Sequence, residues 1–286
     1  MARISENSNG RLSTHFESVS EIWRTIEERN WKPDRDQESD SRGKGDFYTF
    51  DSLDEALDVY KNRPETIRRF SNKDIKLESI ESPGKGVFFD VTGDYVDVAR
   101  YLDGDPEDQG NMVLGNPRTI FATINIMVGY VWYTTNEYLD RKQRRILRLV
   151  DWLESQNIRC QIVATEVTSL QNFSVIVKQF TDPVDLNDLA IVCHGDFLRR
   201  VLFLMNEQSK TFSSGYGNCT DYDDRMKKYV PQPEDGMYIY VGGYYPYGEI
   251  SELEENFDQI EAKVKQMVED NLTWNDEPIV FSGGRW

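Results

Sequence analysis

A nearly continuous apolar run at residues 120–128 constrains the fold of this chain most strongly. A strand of this composition is covered on both faces, because neither side meets water. After a polar and aromatic stretch, apolar residues recur at spacings of three, four and seven: Leu139, Ile146, Leu147, Val150 and Leu153. That spacing predicts an amphipathic helix. A second buried strand is predicted from Cys160 to Val167, so the three elements form a right-handed parallel unit.

The topology of this unit predicts where a functional site lies. Ligands of parallel sheets bind beyond the carboxyl ends of the strands. Here that position is the loop from Met127 to Asn136. On the long helix that follows, the basic residues are predicted to occupy much of the polar side: Arg141, Lys142, Arg144, Arg145 and Arg148.

The composition disfavours some partners and favours one cellular compartment. The chain has 286 residues and a net charge of -17, from 50 acidic and 33 basic side chains. This charge disfavours general binding to duplex DNA or anionic membranes. No apolar run reaches the roughly 18 residues of a membrane helix, and the polar N-terminus does not resemble a signal peptide. Widely spaced cysteines fit a reducing compartment, so we expect a cytoplasmic protein without a membrane partner.

The chain is predicted to contain three parts. Residues 1–15 are expected to form a flexible tail, 16–85 a small helical region, and 86–286 the α/β domain. Ser18 and Ser52 each precede a glutamate at the spacing of a capping box, which predicts two helices in the helical region. Residues 173–180 predict a further strand, paired as a hairpin with 160–167 through a turn near Gln171. Asp185 is expected to cap a helix that Gly195 divides.

The candidates for nucleophilic catalysis do not form a coherent set. Cys193 and His194 are adjacent, and neighbouring helical residues point about 100° apart, so core packing is the better interpretation. His15 is expected to be solvated, and no nucleophile elbow accompanies His194. A zinc site from Cys160, Cys193, His194 and Cys219 lacks the usual ligand spacing. We therefore predict no catalytic residues, metal or cofactor.

Acidic side chains offer an alternative in which the protein is a metal-dependent hydrolase or nuclease. They cluster in two loops, at Asp103, Asp105, Glu107 and Asp108 and again at Asp221, Asp223 and Asp224. A divalent cation can bridge such groups, although their spacing is not that of a calcium loop. A nuclease would also need a carboxylate beside a lysine, for which Glu166 and Lys178 on neighbouring strands are the candidates.

Aromatic and basic side chains supply the remaining site predictions. Two aromatic loops are predicted to bind a protein partner. Their residues are Tyr130, Trp132 and Tyr133, and Tyr244, Tyr245 and Tyr247. Arg141, Arg145 and Arg148 share a helix face beside the first loop. Cations next to aromatic rings favour single-stranded nucleic acid, so these arginines are its predicted contacts. A solvent-exposed helix face is the simpler interpretation of them.

The predicted order of elements from about residue 118 to 275 resembles a von Willebrand factor A-type domain. The order is strand, loop, long helix, hairpin of strands, helix, strand and helix. This resemblance implies a three-layer α/β fold with a mostly parallel sheet flanked by helices. The metal site of that family begins Asp-x-Ser-x-Ser at the end of the first strand. The matching positions are Asn125, Met127 and Gly129, so the resemblance implies a domain without the metal-dependent adhesion chemistry.

Three segments also resemble an uncharacterised family of tailed bacteriophages. They are residues 46–57 (DFYTFDSLDEAL), 94–107 (DYVDVARYLDGDPE) and 145–154 (RILRLVDWLE). The resemblance covers most of the chain from about residue 16. It implies a phage or prophage origin, and hence the host cytoplasm, but brings no known activity.

Together these observations predict a non-catalytic binding or scaffolding protein of phage type. It would contact a protein partner through the strand-end loops 127–136, 213–232 and 242–250. One alternative is a single-stranded nucleic-acid-binding accessory factor for phage replication or transcription. The other is the metal-dependent hydrolase or nuclease.

Overall fold

A seven-stranded mixed sheet forms the centre of the protein, which we describe from a computed structural model. The structure describes residues 2–6, 12–32, 49–67, 87–90, 95–96, 109–112, 120–130, 134–156, 158–168, 171–208, 236–242, 250–269 and 279–281. The strands are β1 (Arg3–Glu6), β2 (Leu12–Phe16), β3 (Val87–Asp90), β4 (Tyr95–Val96), β5 (Gln109–Met112), β6 (Ile120–Met127), β7 (Ile158–Val167), β8 (Gln171–Lys178), β9 (Gly236–Val241) and β10 (Ile279–Phe281). The large sheet has the order β1-β2-β8-β7-β6-β9-β10.

The described helices lie between these strands in the chain. They are α1 (Val19–Glu28), α2 (Leu53–Asn62), α3 (Asn136–Ser155), α4 (Leu186–Val192), α5 (Phe203–Glu207) and α6 (Ile250–Glu269). A 3-10 turn follows α2 at Pro64–Thr66, and a π-helical turn at Phe197–Leu202 leads into α5. This content confirms the coarse prediction of an α/β protein.

The β6–β7 and β7–β8 pairs follow the predicted pairing, and β9 pairs with the other side of β6. β6 runs parallel to both β7 and β9, with Ile124 opposite Ile162 on one side and Ile239 on the other. β7 and β8 form the predicted antiparallel hairpin, with a bulge near Ile162. The predicted turn at Gln171 is displaced, because Gln171 is already the first residue of β8.

The N-terminal residues belong to the sheet rather than to a flexible tail. β2 lies parallel to β8 and β1 pairs antiparallel with β2, so residues 3–6 and 12–16 extend the sheet beyond the hairpin. In β2, the buried residues Leu12, Thr14 and Phe16 alternate with the partly exposed residues Ser13 and His15. This alternation is the period of a strand with one face in the core, and it explains why the segment is ordered.

The helices α1 and α2 share the core of the sheet. Trp23 of α1 stacks on Tyr60 of α2 with ring centroids 5.6 Å apart, and it meets the Phe197 ring edge-on at 6.3 Å. Phe16 contacts Phe173 of β8. Residues 16–32 and 49–67 therefore pack on the α/β core instead of forming a core of their own. The strands β3, β5 and β4 pair in a separate three-stranded sheet.

The two faces of the large sheet differ in what covers them. Alternate strand residues such as Ile124, Ile162 and Ile239 share one apolar cluster with buried residues of α1 to α6. The intervening residues form a second cluster, which contains only strand residues: Met127, Val163, Val167, Ile176, Tyr238 and Tyr240. Among the described residues, the helices thus pack on one face of the sheet.

Candidate functional site at the carboxyl edge of the sheet

The carboxyl end of β6 is held by three separate contacts. The backbone N–H of Val128 donates to the carbonyl of Thr165 at 2.9 Å. The Lys142 ammonium of α3 donates to the carbonyl of Met127 at 2.7 Å and lies 5.1 Å from the centre of the Tyr130 ring. Thr135 caps α3 by accepting from the N–H of Tyr138 at 3.2 Å. The strand end and the helix start are therefore fixed to each other.

Lys142 is fully buried, which differs from its predicted place on the polar side of α3. It lies three residues after Leu139 and four before Ile146, and this spacing puts it on the buried side of the helix. A buried ammonium needs hydrogen-bonding partners. The Met127 carbonyl and the Tyr130 ring supply such contacts, so the lysine ties the helix to the strand end.

Cys193 lies beside Tyr130 and Lys142 in the same interior region. Burial raises the pKa of the Cys193 thiol to about 11, although the Lys142 charge and the Tyr130 hydroxyl both act to lower it. Burial also raises the pKa of the Tyr130 hydroxyl, with Cys193 and Tyr138 adding to the effect. A thiol with this pKa is neutral at physiological pH, so Cys193 is not an activated nucleophile.

His194 uses both ring nitrogens in the interior of the protein. Its Nδ1 atom accepts from the backbone N–H of Asp196 at 3.3 Å, which places the ring proton on Nε2. The Tyr60 hydroxyl then donates to Nδ1 at 3.2 Å, and Nε2–H donates to the Thr49 hydroxyl at 3.4 Å. His194 lies between α4 and the π-helical turn, so its bond with Tyr60 connects this part of the chain to α2. This arrangement supports the prediction that Cys193 and His194 are core residues.

Asp196 is the centre of an adjacent buried cluster. Its Oδ2 atom accepts from the backbone N–H of Thr49 at 2.6 Å and from that of Phe50 at 3.3 Å. Arg200 lies 3.7 Å from Oδ1 and donates to the Phe50 carbonyl at 2.7 Å. Burial raises the pKa of Asp196 to about 6, against the lowering effects of these donors and of Arg199. The cluster attaches residues 49 and 50 to the π-helical turn.

The positions compared with the Asp-x-Ser-x-Ser motif are buried in the structure. The Asn125 amide donates to the Tyr238 hydroxyl at 2.5 Å, and its Oδ1 atom accepts from the Thr165 hydroxyl at 2.7 Å. Met127 and Gly129 are buried as well. Asn125 thus joins three adjacent strands through side-chain hydrogen bonds on the second face of the sheet.

The predicted partner-binding residues are only partly described. Tyr130 is 7% exposed, so its ring belongs to the interior and is not an open contact surface. Thr134, on the other side of residues 131–133, is buried too. Trp132, Tyr133, Tyr244, Tyr245 and Tyr247 lie outside the described residues. Buried residues therefore flank the short segment that carries Trp132 and Tyr133.

The three predicted nucleic-acid contacts differ in their surroundings. Arg145 is 14% exposed and contacts Glu254, Asp258 and Glu261 of α6 at 3.3, 2.5 and 3.2 Å. Arg141 is 45% exposed and pairs with Glu137 and Glu254. Arg148 is exposed. Two of the three cations are therefore neutralised by neighbouring carboxylates, and Arg145 joins α3 to α6.

The structure separates the residues considered for metal or nuclease chemistry. Glu166 lies opposite Phe173, where it accepts from the Gln171 amide, whereas Lys178 lies opposite Ile162 and pairs with Glu154 at 2.7 Å. Cys160 is buried, which raises its pKa to about 12. Within the described part of the chain, no three His, Cys, Asp or Glu side chains are grouped to hold a metal ion. Cys219 and both acidic loops lie outside that part.

Sequence reasoning placed Lys142 on the polar side of α3 and assigned no role to Asp196 or Arg200. The helical spacing from Leu139 to Ile146 was a usable signal for Lys142. Asp196 follows Gly195, which lies in the predicted break between α4 and the next helix. No local signal pairs Asp196 with Thr49, because 147 positions separate them in the chain.

These observations define a mixed α/β protein with a buried polar network beside the carboxyl edge of its sheet. None of the helices within the described residues is both long and apolar enough to cross a membrane. The chain belongs to the family described as "Domain of unknown function (DUF7192)", which matches residues 4–272. No curated protein and no solved structure matches it.

Proposed function

We propose that this protein is a non-catalytic binding or scaffolding protein that contacts a protein partner through loops at the carboxyl edge of its sheet. One observation carries the proposal: residues 131–133 connect two buried anchors, Tyr130 and Thr134. The Lys142 bond to Met127 and the Thr135 cap fix these anchors. A rigid base limits the entropy that a short aromatic loop loses on binding.

The buried reactive groups support the non-catalytic part of this proposal. The thiols of Cys160 and Cys193 have raised pKa values, and both ring nitrogens of His194 make interior hydrogen bonds. Each of these groups has a structural partner and is enclosed by the core. Catalysis by them would require substrate to enter a packed interior.

We further propose that the fold is von Willebrand factor A-like and that the protein is of phage or prophage origin. The order β6, α3, β7–β8 hairpin, α4–α5, β9 and α6 supports a von Willebrand factor A-like arrangement. The full three-layer form also requires helices on the second face of the sheet. The phage-type assignment is supported by the three sequence segments that resemble the bacteriophage family.

Site-specific photo-crosslinking tests the binding surface. The crosslinking amino acid p-benzoylphenylalanine is placed at Trp132, and in a separate variant at Phe121. Phe121 is the matched control, because it is 36% exposed and lies at the opposite, amino-terminal end of β6. We expect one protein partner to be captured at near-stoichiometric yield from position 132 only, in cells that naturally produce the protein. Equal capture from both positions would refute the proposed surface.

The nucleic-acid alternative would have to use Arg141 and Arg148, because Arg145 is enclosed by carboxylates. Anisotropy with a labelled single-stranded oligonucleotide tests it, and phosphate contacts must weaken as salt rises. We expect no salt-sensitive binding.

The hydrolase or nuclease alternative is tested by calorimetry with Mg²⁺ and Mn²⁺, for which we expect no heat of binding.

A further inference from the structure

One group of side chains on the second face of the sheet has the geometry of a nucleophile beside its base. Ser174 of β8 and His15 of β2 are directly opposite each other, and the Ser174 hydroxyl lies 2.9 Å from the Nδ1 atom of His15. The Nε2 atom of His15 lies 3.4 Å from Oε1 of Glu17, which Arg3 contacts at 3.1 Å. A hydroxyl, an imidazole and a carboxylate are therefore connected in that order.

The surroundings of His15 suit a general base. Its side chain is 18% exposed, so the prediction of a solvated histidine is wrong. The pairing of β2 with β8 accounts for this, because it places His15 against the sheet. Desolvation and then the Arg3 charge lower the pKa of His15, and Glu17 opposes this shift without reversing it. The ring is therefore neutral at pH 8 and can accept a proton.

A second observation on the same face points to a ligand. Asn172 precedes Ser174 by two residues in β8, so both side chains lie on one face of the strand. Asn172 is 3% exposed, and its Oδ1 atom has no hydrogen-bond partner among the described residues. A buried oxygen without a donor costs free energy, which a bound water or ligand can recover. Amide N–H groups beside a nucleophile can also donate to the oxyanion of acyl transfer.

We propose that Ser174, His15 and Glu17 form an acyl-transfer site for a short-chain ester, with Asn172 as the oxyanion donor. His15 accepts the Ser174 proton on Nδ1 while the hydroxyl oxygen attacks the ester carbonyl. The C–O bond of the ester breaks, the alcohol leaves with this proton, and an acyl-serine remains. Water, with His15 again as the base, then releases the acid and restores Ser174. Glu17 is a positioning residue, because it holds Nε2–H and does not touch the ester.

The two ring nitrogens of His15 have exchanged roles relative to the common serine triad. The chemistry needs one nitrogen to accept from the serine and the other to be held by a carboxylate, so either assignment satisfies it. Ser174 is 4% exposed, which restricts the substrate to a small acyl group.

This activity goes beyond the binding role proposed above. The groups excluded there as catalysts are Cys160, Cys193 and His194, whereas the ester site lies on the other face of the sheet. The two proposals are tested separately, because crosslinking from position 132 does not depend on Ser174.

Methanesulfonyl fluoride tests the site, because this small reagent sulfonylates activated serines. The native full-length protein is treated at pH 8, and peptide mass spectrometry locates the modified residue. We expect one sulfonyl group per chain, on Ser174, and none on Ser174 when the protein is unfolded in urea. Ser13 is the matched control: it lies on the same face in β2, is more exposed than Ser174 and has no histidine contact among the described residues. Equal modification of Ser13 and Ser174, or none at Ser174, would overturn the proposal.

Hydrolysis of p-nitrophenyl acetate then measures the role of each residue. Ser174→Ala should reduce the rate to background, and His15→Gln should lower kcat/KM by about 10²–10⁴-fold, the usual contribution of a general base. Glu17→Gln should lower kcat with little change in KM, whereas Ser13→Ala should leave both unchanged. Equal rates for the native protein and Ser174→Ala would refute the activity. If Ser174→Ala does not fold, the position of the sulfonyl group on the native protein still decides the question.

Discussion

At the scale of single residues, Asn125 shows how a polar side chain is accommodated inside the sheet. Its amide bonds Tyr238 of β9 and Thr165 of β7, so both of its polar atoms have partners. A buried polar group without a partner costs about 1–3 kcal/mol. The asparagine is therefore compatible with the core only because strands on both sides supply hydroxyl groups.

Thr165→Val should lower the free energy of unfolding by about 1–3 kcal/mol, because it leaves Asn125 Oδ1 buried without its donor. Urea denaturation measures the change. Thr165→Ser is the matched control, since it keeps the hydroxyl and loses only a methyl group. A valine variant as stable as the serine variant would show that the hydrogen bond contributes little.

The buried thiols give a second residue-scale prediction. Cys160 and Cys193 are enclosed by the core and burial raises their pKa values to about 12 and 11. In a Cys219→Ser variant we expect no reaction with a thiol reagent at pH 8 until the protein is unfolded, because the thiolate is the reactive form. Counting modified thiols with and without urea checks this. Fast labelling of the folded variant would contradict the buried placement of these cysteines.

At the scale of elements, the apolar patterns predicted the central unit but not its neighbours. β6, α3 and β7 are long and strongly patterned, and the two strands are joined by one helical crossover between consecutive strands of the chain. β1 and β2 are short, and β2 finds its partner β8 through contacts such as His15 with Ser174, which are 159 positions apart. No local pattern encodes such a pairing. The buried polar network was missed for the same reason, because Asp196 meets Thr49 only in the folded chain.

The packing of α3 against α6 depends on one arginine. Arg145 contacts three α6 carboxylates and lies 5.5 Å from the centre of the Phe257 ring. Removal of a largely buried cation leaves the facing carboxylates uncompensated. Exposed ion pairs contribute far less, with typical values below about 1 kcal/mol. The two arginines of this helix face therefore have unequal roles in stability.

Arg145→Gln should destabilise the protein by about 2–3 kcal/mol, because it removes both the charge pairs and the contact with Phe257. Arg141→Gln is the control on the same face, and its 45% exposure predicts a loss below about 1 kcal/mol. Urea denaturation of both variants provides the comparison. Equal losses would show that Arg145 acts only as a surface charge.

At the scale of the whole molecule, several titrating groups combine to set the pH dependence of stability. Burial raises the pKa values of Asp188 and Asp196 to about 6, so the folded state binds their protons more tightly than the unfolded state. Their contribution is present below pH 4 and is lost as pH rises through 6. His15 and Glu21 have lowered pKa values and act in the opposite direction. The net charge of -17 adds repulsion at high pH.

The contribution of Asp196 to global stability can be separated from these other groups. With pKa values of about 6 folded and 4 unfolded, ionisation of Asp196 removes on the order of 1 kcal/mol between pH 5 and pH 8. Asp196→Asn should therefore lose less stability over this interval than the native protein, by about that amount. Urea denaturation at both pH values measures the difference. Asp188→Asn should give a smaller effect in the same direction, because its carboxyl is partly exposed. Native and Asp196→Asn proteins with equal losses between pH 5 and pH 8 would show that the buried carboxyl does not titrate in this range.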